Sequence, residues 1–181
     1  MVAGIFPPFF MDCPSLKYYF PSLISLKLRI YITKTYIQEI SLETTSYGGL
    51  ECLFYCKADP CQKSVLKFVN EILSWLLSYT QKQPKESSIA IKLPSNQEDL
   101  AIVRALSSLK FGSFITERFF LEKLGLQQFN LSSWIKKHPF TPFIPAHRVL
   151  PSQLRSSTSS HQLRLFNLLR SFEETLSPHL P

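Results

Sequence analysis

Leu26, Leu28, Ile30 and Ile32 alternate with Lys27, Arg29 and Tyr31. That period of two predicts a strand with one buried face. Residues 36–40 predict a second strand, Gly48 and Gly49 a turn, and residues 50–56 a third strand. The period then lengthens to that of a helix. Asp59 suits the N-cap, Pro60 the first helical position, and Gln62 can reach back as a capping box. Val65, Phe68, Val69, Ile72, Leu73, Leu76 and Leu77 follow as one apolar stripe. Residues 81–88 are polar and hold Pro84, which predicts a loop, and residues 89–93 predict a short last strand.

After Pro94 the pattern is helical. Ser95 with Glu98 forms a capping box ahead of Leu100, Ile102, Val103, Leu106 and Leu109. Lys110, Phe111 and Gly112 break that helix. Residues 116–124 predict a short helix with Gly125 in its C-terminal cap, and residues 130–137 a second one after a turn of a few residues. Two short helices so joined are the pattern of a helix-turn-helix, which many helical cores share. Pro139, Pro142 and Pro145 predict an extended segment. A Ser-rich loop over 152–160 and an amphipathic helix over 163–176 close the chain. The layout is an α/β N-terminal unit, residues 1–94, and a mostly helical C-terminal unit, residues 95–181.

Composition narrows the class. The 181 residues are 45% hydrophobic and 13% aromatic, enough for a real core in one ordinary domain or two small ones. Five Gly, four Cys and 18% charged residues exclude collagen-like, disulfide-scaffold and coiled-coil classes. No run of eighteen apolar residues offers a spanning helix, so no membrane partner is expected. The first eleven residues are apolar but lack a basic region and a small-residue cleavage site, so they do not read as a signal peptide. Cys13, Cys52, Cys56 and Cys61 show no paired C-x-x-C spacing. With no His beside them they make a poor metal set, and this usage fits a reducing cytoplasm. No metal or cofactor is expected.

The net charge of +7 is uneven. Residues 110–181 carry 9 of the 20 Lys and Arg but only 4 of the 13 Asp and Glu. The helical unit is therefore the better candidate to meet phosphate, unless the charge only solubilises the surface.

Residues 138–149 read His-Pro-Phe-Thr-Pro-Phe-Ile-Pro-Ala-His-Arg-Val. The frame Ile144-Pro145-x-His147-Arg148-Val149 resembles the active-site segment of the O6-alkylguanine-DNA alkyltransferases, the methylated-DNA–protein-cysteine methyltransferases. Ala105-Leu106 through Lys110-Phe111-Gly112 resembles the segment that precedes it, and the helix-turn-helix lies between the two. The resemblance covers roughly residues 95–150. It implies a ribonuclease-H-like N-terminal unit and a winged-helix-like helix-turn-helix behind it.

The same resemblance implies minor-groove binding, an inserted Arg, a flipped guanine, and a Cys thiolate that accepts the alkyl group irreversibly. The nucleophile position here is Ala146, which has no heteroatom and cannot accept an alkyl group. His147 holds the position of the base, or else simply bonds within the fold. The inserted Arg corresponds to Phe129, either a wedge between bases or a core contact. The Tyr near the flipped base corresponds to Glu117, and the Asn before Pro139 to His138. Residues 151–155 replace the Gly-rich pocket loop. Glu173 or Glu174 matches the acid that orients the His. Pro145 and Arg148 are read as structural, Arg148 bracing backbone carbonyls.

The DNA-contact set implied is Phe129, Asn130, Ser132, Ser133, Lys136 and Lys137. The two lysines either neutralise phosphates or complement the helix dipole. The expected partner is double-stranded DNA, with alkylated guanine as its lesion and a repair protein as a second partner; the chain is expected to be a monomer. Three functions stay open. They are DNA recognition without alkyl transfer, a degenerate module kept for structure or protein contact, and an active methyltransferase using a displaced Cys.

Overall fold

A computed structural model of the chain describes residues 16–22, 24–83, 89–151 and 160–174. Strands β1 (Leu16–Phe20), β2 (Leu26–Ile32), β3 (Ile37–Thr44) and β4 (Leu50–Cys56) form one sheet in the order β1-β4-β2-β3. β2 and β4 run parallel, and the outer pairs are antiparallel. The alternation in β2 sends Leu26, Leu28, Ile30 and Ile32 into the core, where they meet Val65, Val69, Ile72 and Leu76 of α1 (Lys63–Thr80). On the opposite face Lys17 and Lys27 both pair with Glu51, Arg29 pairs with Glu43, and Tyr31 stacks on Tyr55 at 4.8 Å. β1 adds a strand beyond those that the pattern predicts. Its half-buried Leu16, Tyr18 and Phe20 carry the same period of two over only five residues.

Helix α1 begins later than Asp59 and Pro60 suggest. Asp59 Oδ1 instead accepts the Cys61 N–H at 2.9 Å and its carbonyl accepts the Gln62 N–H at 3.1 Å. That local turn satisfies the donors which a helix start would have left free. Residues 89–93 add no full strand. Only Ile91 bridges, in parallel, to Ile37.

Helix α2 (Gln97–Ser107) is capped by Asn96, whose side chain accepts the Asp99 N–H at 2.7 Å, in place of the expected Ser95–Glu98 box. Thr116 ends the two-residue strand β5 (Ile115–Thr116) and caps α3 (Glu117–Lys123). α3 closes on Gly125 at φ +69°, with Gly125 N–H bonded to Glu122 O and Leu126 N–H to Leu121 O. This paired closure needs a left-handed residue, which glycine adopts without strain. α4 (Leu131–Lys137) follows after seven residues, capped by Asn130.

The proline-rich stretch is folded back, not extended. Ile144 N–H reaches Phe140 O at 3.0 Å, the Thr141–Pro142 bond is cis, and Phe140, Phe143 and Ile144 are buried. Burying three large side chains outweighs the extended bias of the prolines. A 3-10 turn, Ala146–Arg148, leads into β6 (Val149–Leu150), which pairs in parallel with β5. α5 (Ser160–Glu174) lies against that turn. The Ser-rich loop lies outside the described residues, apart from Ser160, which opens α5.

Candidate functional site

The turn that carries Ala146, His147 and Arg148 is buried throughout. Ala146 is 3% exposed, and its N–H donates to Ile144 O at 2.8 Å. Beneath it, Glu173 of α5 is fully buried and gathers five donors. Its Oε1 accepts Tyr79 Oη at 2.9 Å, His147 Nε2 at 2.8 Å and Arg148 Nη2 at 3.0 Å. Its Oε2 accepts Arg148 Nε at 2.8 Å and the Gly112 N–H at 3.1 Å. Gly112 holds φ +72°, which aims that N–H at the carboxylate.

The protonation states follow from this crowding. Burial alone would raise the Glu173 pKa, but the hydrogen bonds from His147 and Arg148 outweigh it and hold the carboxyl at about 2. Burial lowers the His147 pKa more than Glu173 raises it. Glu173 is thus the anion, Arg148 its counter-charge, and His147 a neutral ring donating through Nε2. His147 Nδ1 is then an acceptor, and it has no partner. Of the two carboxylates that the resemblance matched to the acid, it is Glu173 that contacts His147. Glu174 is exposed.

Arg148 braces one carbonyl, donating from Nη1 to Leu109 O at 2.5 Å, while its other donors go to Glu173. The carbonyl clamp is Arg170, which the sequence reading misses. Its Nε donates to His147 O at 2.5 Å and its Nη2 to Val149 O at 2.8 Å. Tyr79 is missed as well. Both carry a sequence signal. Tyr79 lies three residues past Leu76 on the α1 stripe, and Phe166, Leu169, Arg170 and Glu173 fall at helical spacing on the buried face of α5. A charge on an apolar stripe needs a partner.

The implied DNA-contact residues sit on and around α4. Phe129 is half-buried against the core, and Asn130 Oδ1 accepts the Ser133 N–H at 2.8 Å. Ser132 is half-buried, while Ser133, Lys136 and Lys137 are exposed. Glu117 and Ser132 line a cavity of about 30 Å3 with Leu131, Val149, Phe166 and Arg170. That is room for little more than a water molecule. Among the described residues, Cys52 and Cys56 lie on β4 and Cys61 just before α1. Burial, helped by Glu51, pushes the Cys52 thiol up to about 12. Cys13 lies outside the described residues.

The fold defined by this sheet, helix pair and buried turn is that of the O6-methylguanine methyltransferases. The chain is similar to the Mycobacterium tuberculosis OGT in complex with DNA, with a TM-score of 0.54 at 12% identity over 82% of this chain and 93% of that one. It is also similar to the Mycobacterium tuberculosis O6-methylguanine methyltransferase, with a TM-score of 0.54 at 10% identity over 86% of this chain and 96% of that one. A single-substitution variant of the Mycobacterium tuberculosis OGT superposes with a TM-score of 0.55 at 11% identity, over 86% of this chain and 96% of that one. No protein-family model and no curated protein matches the sequence.

Proposed function

We propose that this is a DNA-binding protein of the alkyltransferase fold that engages DNA carrying alkylated guanine without accepting the alkyl group. The observation that carries the reading is Ala146, buried in a His147–Glu173 site that otherwise keeps its base and acid. Residues 1–94 form the ribonuclease-H-like unit in this reading, and residues 95–181 the DNA-binding unit with a winged-helix-like helix-turn-helix. The β5–β6 pair beside α3 supports the second assignment. Ser133, Lys136 and Lys137 are exposed on the helix that Asn130 caps, and Ser132 is half-buried beside them. Phe129 backs the helix pair from the core.

The protein acts in the cytoplasm as a monomer and presents the lesion site to a repair partner. Among the described residues no helix is long and apolar enough to cross a membrane. Transfer to a displaced thiol is the weaker reading, because Cys52 and Cys56 lie on β4 and Cys61 just before α1, none of them on the turn that carries Ala146. A degenerate module kept for protein contact is the remaining reading, favoured by Phe129, which stands where the resemblance implies an inserted Arg and is half-buried against the core.

The deciding experiment is a gel shift of the full chain at moderate salt with O6-methylguanine duplex, undamaged duplex and a random acidic polymer. Preference for the lesion duplex supports the proposal. Binding no tighter than that to the polymer leaves the module reading. Mass spectrometry after incubation with methyl-labelled DNA tests the thiol reading, which requires a methylated Cys.

A further inference from the structure

We propose that Phe119 is a stacking wedge for double-stranded DNA, and that the DNA this chain prefers is duplex with a base already missing or displaced from the stack. This rests on the DNA-binding reading above and names the class of DNA that the helix pair selects.

Helix α3 sets the side chain outward. A helix turns about 100° per residue, and Phe120 and Leu121 are buried while Leu124 is half-buried. Phe119 therefore falls on the opposite side, and it is 59% exposed. Thr116 Oγ1 accepts the Phe119 N–H at 3.4 Å, so the cap of α3 fixes the backbone from which the ring projects. Among the described residues from 95 onward, every other Phe is buried or half-buried, and Phe119 is the one large apolar side chain that stands exposed.

Single exposed apolar side chains are ordinary on a protein surface. Phe119 differs in its neighbours. Arg118 precedes it in the chain, and Lys123 lies one turn further along the same side of α3. Both are exposed, and neither has an acidic partner among the described residues. Glu122 is the one exposed carboxylate on the helix pair, against the exposed cations Arg118, Lys123, Lys136 and Lys137. A docking protein needs a wider apolar patch than one ring. An aromatic ring set among cations suits nucleic acid, where the cations neutralise phosphates and the ring takes the face of a base.

Phe129, at the position of the inserted Arg, cannot be the wedge, because it is half-buried against the core. Phe119 carries no charge and no hydrogen-bond donor, so it cannot replace the bonds that a displaced base leaves behind. Pushing it into an intact duplex costs pairing and stacking, which only its own stacking offsets. At an abasic or mismatched position most of that cost is already absent, and the ring fills the gap. Selection for unstacked duplex follows from the chemistry of the side chain.

The test measures fluorescence anisotropy with the full chain and labelled duplexes of one sequence: fully paired, with one tetrahydrofuran abasic site, and with one thymine–thymine mismatch. The abasic and mismatched duplexes should bind about tenfold more tightly than the paired one. Phe119→Ala should bring both to the affinity of the paired duplex, with an unchanged thermal midpoint because the ring is exposed. Phe119→Trp should keep the preference. Arg118→Ala and Lys123→Ala should weaken all three duplexes alike and lower their salt dependence. Equal binding of the three duplexes by the natural chain overturns the inference, and so does a Phe119→Ala chain that retains the preference. The DNA-binding reading survives both results. A preference for O6-methylguanine duplex alone also keeps that reading and overturns this inference, whereas no binding to any duplex overturns both.

Discussion

Tyr79 and Glu173, 94 positions apart in sequence, share a hydrogen bond of 2.9 Å. It ties the last turn of α1 to the carboxylate that organises the His147 turn. Replacing Tyr79 by Phe keeps the ring, which packs against Trp75, Phe111 and Phe172, and removes only the hydroxyl. A hydrogen bond to a charged acceptor contributes about 1.5–3 kcal/mol, so Tyr79→Phe should lower the unfolding free energy from urea titration by that amount at neutral pH. Burial, then the Glu173 charge, raises the Tyr79 pKa well above 10. Its stabilisation is present below about pH 10 and lost as pH rises beyond it. The variant should lack that alkaline loss.

Acid should destabilise the fold in two stages. The folded pKa of His147 is lowered, so the unfolded chain takes up a proton first. Stability then falls as pH drops through about 6.5. The folded pKa of Glu173 is about 2, so its contribution is complete above the ordinary carboxylate range and falls away between about pH 4.5 and 2. Urea midpoints measured from pH 8 to 3 should show both stages, and His147→Gln should abolish the first.

Glu173→Gln is the more severe change. It leaves the Arg148 guanidinium, which is 7% exposed, without its counter-charge. Breaking a buried pair in this way costs about 3–5 kcal/mol. Thermal unfolding should show a larger fall than that for Tyr79→Phe. Equal falls would mean that the carboxylate charge contributes little.

Two kinds of substitution on α4 should separate folding from DNA contact. Asn130→Ala removes an N-cap and should cost about 1 kcal/mol of stability. Lys136→Ala and Lys137→Ala should leave stability within about 0.5 kcal/mol. Each lysine that neutralises a phosphate should lower the slope of log affinity against log salt by about 0.9. An unchanged slope in both variants would remove α4 from the DNA interface.

The described cysteines should differ sharply in reactivity. Cys61 is exposed and should react with a thiol reagent at neutral pH, whereas Cys52 should stay silent until the chain unfolds. Rapid native labelling of Cys52 would contradict its place in the sheet core.

The strands β2 and β4 and the helix pair α3–α4 are legible in the sequence because local pattern and burial agree there. Val65 to Leu76 announce α1 by periodicity alone. Its start is not legible, because Asp59 and Pro60 serve a turn as well as they serve a helix. The folded-back residues 140–145 mislead for a different reason. Prolines report a local bias, and only the tertiary burial of Phe140, Phe143 and Ile144 overrides it. In the site, the His147 position can be named from its string, but its partners cannot. Tyr79, Gly112 and Arg170 converge on that turn from separate elements, and no spacing along the chain encodes their meeting.

The buried methyl group at Ala146 also changes the accounting of any encounter with DNA. A protein that takes an alkyl group onto sulfur is altered by each event, so its capacity is counted in molecules. Position 146 offers no atom to be altered, so no covalent product can form there. Under the proposed function, occupancy at a lesion is an equilibrium set by concentration and dissociation rate, and one copy can visit many sites in turn.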